Sequence, residues 1–374
     1  MHKIVVTIPV KTPIRYPVII GADLFDVDSW LPKGKFSRFV IITDHHVKKL
    51  FALRLHNTLK KAGHNSILLF FQAGEKNKNN ITKQTIENGM LHNACDRNTL
   101  VLALGGGVVG DLSGFVAATY LRGIAYIQIP TTLLAMIDSS VGGKTAINTP
   151  YGKNLIGAIH QPIAVIADTK LLKTLPEKHK INGLIEAIKI FLTHDKKSFY
   201  FLATHHEREI DNIIARAVKI KASVVMRDEK EQGERALLNF GHTIGHALEK
   251  LSNYKLLHGY AVAYGILIES TLSHQMGLLS LKQLIIIKKL LSRFGIHTKN
   301  LRKYDINKII QATKNDKKVQ GKNVRYVLLK EIGKAHIIKN NYVHAVSDEM
   351  VRQTFKIIFS EPRALASGSD EERK

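Results

Sequence analysis

One cysteine, Cys95, is all the thiol the chain holds. No intramolecular disulfide can form, which fits a reducing compartment. Long apolar runs are missing too: charge or glycine interrupts each one before the roughly 18 residues that a membrane span needs. Met1 to Val10 alternates polar and apolar side chains, with no apolar block of the kind that marks a secretory signal. These absences together predict a soluble, cytoplasmic protein. Acidic residues are few beside basic ones, 31 against 55, which leaves a net charge of +24. A balance of that sign suits either nucleic acid or a multiply anionic small substrate. The basic residues recur as short pairs such as Lys60-Lys61 and Lys288-Lys289, and the sparse aromatics are not interleaved with them. No stacking platform for nucleic acid is visible, which argues against nucleic acid and leaves a generally basic proteome or an anionic substrate as the origin of the charge. No internal repeat is evident.

What is present reads as two textures. Phe39 to Thr43, Ile67 to Phe71, Thr99 to Leu104, Ile124 to Ile129 and Ala164 to Ala167 are short apolar runs rich in β-branched residues, separated by helical or glycine-rich stretches. Continuous runs of that length predict strands buried on both faces, hence a mainly parallel sheet. Ile4 to Ile8 and Val18 to Ile20 are expected to pair as a hairpin before them. From about Leu175 the periodicity becomes helical. Ile210, Ile213, Ile214, Ala217 and Val218 fall on one stripe, and Lys221 lies on that same inward stripe, where an ammonium needs an anionic partner. Leu284 to Leu291 reads as a further helix and Val324 to Leu329 as a late strand. The expectation is an α/β N-terminal domain over 1–174, a mainly α-helical C-terminal domain over 175–360, and a disordered polar tail over 361–374.

Gly105-Gly106-Gly107-Val108-Val109-Gly110-Asp111 follows the strand Thr99 to Leu104 and opens an apolar helix. Such glycines let a backbone approach a pyrophosphate, whose charge a helix N-terminus favours, although a tight strand-to-helix turn needs them as well. Pro130-Thr131-Thr132 ends another strand and offers two hydroxyls. Asp138-Ser139-Ser140-Val141-Gly142-Gly143-Lys144-Thr145 and Gly152-Lys153-Asn154 put lysines in glycine-rich turns, a pattern that suggests anion contacts. Gly142-Gly143-Lys144-Thr145 is like the end of a Walker A loop, but Asp138 stands where that loop has its first glycine.

Asn239-Phe240-Gly241-His242-Thr243-Ile244-Gly245-His246 sits in a helical stretch. Four residues apart, His242 and His246 share a face, which Asn239 and Arg235 extend toward the N-terminal side. The pair suits a metal or a histidine-rich surface in about equal measure. His258 follows in Leu256-Leu257-His258-Gly259, and Glu186 and Lys189 form an i, i+3 pair on the apolar helix Gly183 to Phe191. Residue spacing alone does not single out Glu186 as the carboxylate of a three-ligand site.

Taken together, these segments resemble the 3-dehydroquinate synthase family. The likeness is carried by Gly105 to Arg122, Ile129 to Lys144, Gly152 to Gln161, Glu186 to Lys189, Arg227 to His246 and Asp316 to Lys318, and runs in order from Ile4 to Phe359. It implies an enzyme that converts 3-deoxy-D-arabino-heptulosonate 7-phosphate to 3-dehydroquinate and phosphate. The route is transient oxidation by NAD, β-elimination of phosphate, re-reduction and intramolecular aldol closure, a step of the shikimate pathway toward aromatic amino acids. The resemblance further implies an N-terminal α/β nucleotide-binding domain, a mainly α-helical metal- and substrate-binding C-terminal domain, and a homodimer with its site in the cleft between the two domains. A divalent metal, Zn2+ or Co2+, would be held by Glu186, His242 and His258. Substrate would meet Asp111, Lys144, Asn154, Lys189, Lys221, Arg235, Asn239, His246 and Lys317, with Arg122 reaching the phosphate in the neighbouring subunit. NAD would meet Asp44, Glu75, Lys78, Gly106, Gly107, Val108, Thr131, Thr132, Asp138, Lys153 and Thr174, with Asp111 and Lys144 also on its side.

The chain departs from the family pattern at four places. Tyr260 follows His258-Gly259 where glutamate is usual, His179 stands for a glutamate, Ile185 for an alanine and Lys314 for a methionine. A lost carboxylate at Tyr260 is expected to weaken orientation of the metal ligands. Two other enzyme readings compete. One is a sugar-phosphate cyclase acting on sedoheptulose 7-phosphate or glucose 6-phosphate, opposed by Arg235, Asn239 and Gly142 to Ala146. The other is an NAD- and metal-dependent alcohol dehydrogenase, which would release NADH with its product.

Overall fold

The computed structural model describes residues 13–24, 26–32, 36–206, 208–314 and 324–360. Six strands form one sheet in the order β1-β8-β5-β4-β2-β3: β1 (Val18–Gly21), β2 (Arg38–Asp44), β3 (Ser66–Phe71), β4 (Thr99–Gly105), β5 (Tyr126–Pro130) and β8 (Ala164–Asp168). Every pairing in it is parallel, as the unbroken apolar runs predict. Alternate side chains go to opposite faces. Phe39 and Ile41 join one core with Leu100, Leu102 and Leu104, while Val40 and Ile42 join another with Val101 and Ala103. Connecting segments cover both faces: α1 (His45–Val47) leading through a π-turn into α2 (Leu53–Lys61), α3 (Asn80–His92) and α4 (Gly107–Thr119).

One reading of this half cannot be followed to its partner and another needs correction. Val18–Gly21 pairs in parallel with β8, with Val18 opposite Val165; the Ile4 to Ile8 segment expected beside it lies outside the described residues. The lysine-bearing turns are not simple loops. Lys144–Thr149 (β6) and Gly152–Ile159 (β7) form an antiparallel hairpin packed on α4. The alternation is weak in β7, most of whose residues are exposed or half-buried, so no apolar stripe announces it.

The remaining described chain is mainly helical: α5 (Glu177–His194), α6 (Lys196–His205), α7 (Ile210–Arg227), α8 (His242–Leu251), α9 (His258–Gln275), α10 (Leu281–Arg293), α11 (Ile306–Lys314) and α12 (Asp348–Ser360). Between α11 and α12 come the short strands β9 (Arg325–Tyr326), β10 (Leu329–Glu331), β11 (Lys334–Ala335) and β12 (His344–Ala345), the first and last of which pair. The late strand expected over Val324 to Leu329 is thus two short pieces. α9 is buried nearly all round and packs against α5, α8, α10 and α12, so it is the axis of this half. The core containing Phe39 and Ile41 continues without a break into these helices through Ile185, Ile188, Ile244 and Ile266. The tail over 361–374 lies outside the described residues.

Candidate active site

In the sheet, β2 leads outward to β3, and the chain then returns to place β4 on the other side of β2. The strand order reverses there, and a crevice opens at the carboxyl ends of β2 and β4. Asp44 closes β2, where its Oδ1 accepts from the N–H groups of His46 (2.8 Å) and Val47 (3.0 Å). Gly106 and Gly107 close β4 and begin α4. A Cβ on Gly106 would lie 3.0 Å from Thr132 Cγ2, and one on Gly107 3.1 Å from Ser139 Oγ. Val108 lies in the first turn of α4, and Thr131 and Thr132 follow β5 at the same edge. Glu75 accepts from Asn148 of the hairpin at 2.7 Å. Buried Lys78 donates to Asp111 Oδ2 (2.5 Å) and Asn154 Oδ1 (2.6 Å), binding α4 to the hairpin. Burial pushes the Asp111 carboxyl up, against the pull of Lys78. Thr174 ends the turn after β8, its hydroxyl donating to Leu171.

A ring of cations faces this edge from the helical side. Lys189 on α5 and Lys221 on α7 are both buried, and both turn to Asp138. Asp138 Oδ2 is 3.3 Å from Lys189 Nζ, while its Oδ1 and carbonyl accept from Lys221. Burial opposes the charge on Asp138, but the two ammoniums hold it well below the usual carboxylate range. Burial also draws Lys221 below the ordinary lysine value, with Asp138 opposing. The expected anionic partner of Lys221 is therefore internal. Arg235 donates to the carbonyls of Glu229 and Gly142 and so crosses from helices to hairpin. Gly142 has a φ of 99°, and a Cβ there would lie 2.6 Å from the Arg235 guanidinium; only glycine admits that contact.

Arg235 and Asn239 belong to a 3₁₀ turn, Glu234–Asn239, and not to the histidine helix. Left-handed Gly241, with a φ of 79°, breaks the segment, and α8 starts afresh at His242. The single helical face expected from Arg235 to His246 is thus two elements. Buried Glu269 on α9 accepts the Gly241 N–H at 2.8 Å and fixes the break. At this point α8 and α9 touch by backbone: a Cβ on Gly265 would collide with the Gly241 carbonyl oxygen. Asn182 accepts the Gly259 N–H at 2.6 Å and anchors the first turn of α9, which carries His258.

Glu186, His242 and His258 then converge from α5, α8 and α9, with ligand atoms within 4.8 Å of one another. The His258 Nε2 is 3.3 Å from Glu186 Oε1, and the His242 ring centroid is 5.2 Å from that of His258. His242 Nδ1 lies 3.3 Å from the Phe240 carbonyl, which leaves Nε2 to face the cluster. Glu186 is fully buried; Lys189 Nζ approaches its Oε2 at 2.5 Å, but neither oxygen accepts a well-aligned hydrogen bond. Carboxylate oxygens left in that state suit a cation. His246 extends the cluster, its ring 5.3 Å from that of His242.

Two residues outside the sequence-derived set belong here. Glu231 accepts from both Lys144 and Asn239. Glu249 accepts from Lys153 Nζ at 2.9 Å and lies 3.1 Å from His258 Nδ1. Burial penalises the Glu249 charge, yet His258 and Lys153 hold it down at about 2. Burial likewise opposes charge on His258, while Glu186 and Glu249 push it up to about 10. Arg122 stands apart: it is exposed, has a φ of 69°, and makes no hydrogen bond or ion pair among the described residues. Lys317 lies outside the described residues. Of the four departures, Ile185 is core, Lys314 pairs with Asp348 at 2.6 Å, half-buried Tyr260 packs on the core, and His179 is drawn below the usual histidine value by burial.

Comparison with known proteins bears on the same residues. Residues 68–182 match the family described as 3-dehydroquinate synthase N-terminal, and 183–319 match 3-dehydroquinate synthase C-terminal. A 3-dehydroquinate synthase of Syntrophotalea carbinolica is 42% identical over 328 residues, 85% of this chain and 90% of that one. One of Dehalococcoides mccartyi is 40% identical over 335 residues, 87% and 93%. Among solved structures, a 2-deoxy-scyllo-inosose synthase complexed with carbaglucose-6-phosphate, NAD+ and Co2+ superposes with a TM-score of 0.84 at 27% identity, over 91% of this chain and 96% of that one. A 2-epi-5-epi-valiolone synthase from Streptomyces hygroscopicus with NAD+ and Zn2+ bound gives 0.82 at 26%, over 94% and 99%.

Proposed function

The chain belongs to the 3-dehydroquinate synthase family, and from that premise we infer that it converts 3-deoxy-D-arabino-heptulosonate 7-phosphate to 3-dehydroquinate and phosphate. The observation that carries the reading is the convergence of Glu186, His242 and His258 beside the cationic group Lys144, Lys189, Lys221 and Arg235. A substrate with a phosphate at one end and a carboxylate at the other suits several fixed cations. Identity separates this reading from the related cyclases: relatives named for 3-dehydroquinate reach 40–43%, whereas the two cyclase structures stand at 26–27%.

We assign NAD to the crevice between β2 and β4, where the N-terminus of α4 opens at Gly106-Gly107 and its free N–H groups suit a pyrophosphate. We assign a divalent metal, Zn2+ or Co2+, to Glu186, His242 and His258, since the buried Glu186 oxygens lack aligned donors. When bound, NAD supplies reversible hydride acceptance and the metal supplies Lewis acidity at a substrate hydroxyl. The protein's own part is mainly positioning. Lys144 and Asn154 surround the substrate from the hairpin, Asn239 from the 3₁₀ turn and His246 from α8, and Lys189, Lys221 and Arg235 approach from the helical side. Asp111 shares Lys78 with Asn154 and so sets the spacing between α4 and the hairpin.

We further propose a cytoplasmic homodimer in which Arg122 completes the neighbouring subunit's site. Its exposure and left-handed backbone support a side chain presented outward. No helix among the described residues is long and apolar enough to cross a membrane. The test of the activity is phosphate release from the heptulosonate substrate, with and without a chelator. Release that needs NAD and metal is expected; faster turnover of sedoheptulose 7-phosphate or glucose 6-phosphate would reassign the substrate.

A further inference from the structure

Where the family pattern has a glutamate after His258-Gly259, this chain has Tyr260, and that side chain packs on the core instead of reaching His258. His258 nonetheless has a carboxylate on the ring nitrogen that faces away from Glu186, and it comes from another helix. His242, His246 and Glu249 occupy positions i, i+4 and i+7 of α8, one stripe along a single face. From that stripe Glu249 Oε2 lies 3.1 Å from His258 Nδ1, while His258 Nε2 lies 3.3 Å from Glu186 Oε1. The other Glu249 oxygen is held at 2.9 Å by Lys153 of β7, whose ammonium sits 4.3 Å over the Tyr254 ring. Glu249 is buried, so this geometry is not averaged by water.

We propose that Glu249 is a positioning residue of the metal site: it accepts the Nδ1–H of His258, selecting the tautomer whose Nε2 lone pair faces Glu186, and Lys153 fixes Glu249 in turn. The inference rests on the reading that Glu186, His242 and His258 hold the ion. A neutral imidazole carries its one proton on either nitrogen, and with the proton on Nε2 it offers nothing to a cation on the Glu186 side. A carboxylate on Nδ1 removes that alternative, orients the ring and raises the basicity of Nε2. Lys153 prevents Glu249 from swinging toward the ion and becoming a ligand itself. The hairpin and the metal ligands therefore share one chain of contacts, Tyr254 to Lys153 to Glu249 to His258.

The experiment is a Zn2+ dissociation constant for the full chain, by competition with a chelator, in wild type, Glu249→Gln and His242→Ala. Glu249→Gln should weaken binding by roughly 10- to 100-fold, still reach one ion per chain at saturating Zn2+, and then recover kcat to within a few fold. Unchanged affinity would overturn the positioning role. A folded Glu249→Gln protein that takes up no ion at any concentration would overturn it too, by making Glu249 a ligand. Tight binding by His242→Ala would instead remove the ligand assignment, whatever Glu249 does. Should Glu249→Gln not fold, imidazole nitrogen shifts of Zn2+-loaded wild type decide the matter: protonated Nδ1 and metal-bound Nε2 at His258 are expected, and the reverse pattern refutes the proposal.

Discussion

Buried Lys221 holds half-buried Asp138 twice, its one ammonium binding both the side chain and the carbonyl of that residue. Lys189 reaches the same carboxylate at 3.3 Å from a different helix. One carboxylate thus bridges two buried ammoniums, and Glu186 supplies Lys189 with a second anion.

Asp138→Asn should therefore be costly. Removing one member of a buried ionic group leaves uncompensated charge, and about 3 to 5 kcal/mol is the expected loss. Lys221→Met should cost less, because Asp138 keeps Lys189. The pH dependence follows from the depressed carboxyl. Its contribution is full above the unfolded value near 3.9 and is lost as pH falls through the lower folded value. Urea midpoints across the acid range test both points. A loss under about 1 kcal/mol for Asp138→Asn would contradict the burial argument.

His242→Ala is expected to lose bound metal and nearly all turnover while staying folded, since Glu186 and His258 alone give only two ligands. Metal content of the dialysed protein is the readout. Stoichiometric zinc in that variant would show the ligand set to be wrong.

NAD should be recycled. Phosphate release is expected with no net rise in NADH absorbance, because the hydride taken early is returned to the same substrate. Steady one-to-one accumulation of NADH would move the chain to the alcohol dehydrogenases.

Arg122→Ala and Lys144→Ala should each be inactive alone and partly active when mixed after co-refolding. Each mixed dimer regains one site, built from the Lys144 of one chain and the Arg122 of the other. A charge-assisted phosphate contact corresponds to about 2 to 4 kcal/mol of transition-state binding. An exposed arginine with no partner would instead make Arg122→Ala nearly silent. Activity equal to the sum of the parents, in a sample shown to hold mixed dimers, would exclude the shared site.

The parallel sheet was legible because strands buried on both faces leave unbroken apolar runs, as in Val40 to Ile42 and Leu100 to Leu104. Lys221 was legible as a charge on an inward stripe. The hairpin of β6 and β7 was not, because glycines at 142, 143, 152 and 157 imitate loop composition while β7 leaves most of its residues exposed. The helix break at Gly241 hid for a related reason: a lone glycine within a helical period looks tolerated until its φ is known. Glu231 lies in a run of charges from Asp228 to Glu234 that reads as a solvated loop. Glu249 escaped because its importance lies in a partner nine residues away on another helix.

The main-chain contact between α8 and α9 has a consequence for how this protein tolerates change. Because Gly241 and Gly265 meet without side chains, the separation of His242 from His258 is gauged by peptide units and not by the volume of core residues. Aliphatic neighbours such as Ile244, Val262 and Ile268 are then free to drift or be redesigned, so long as total volume is kept. The two glycines behave like machined shims: a methyl group at either one would meet the backbone of the facing segment and push the two histidine-bearing helices apart.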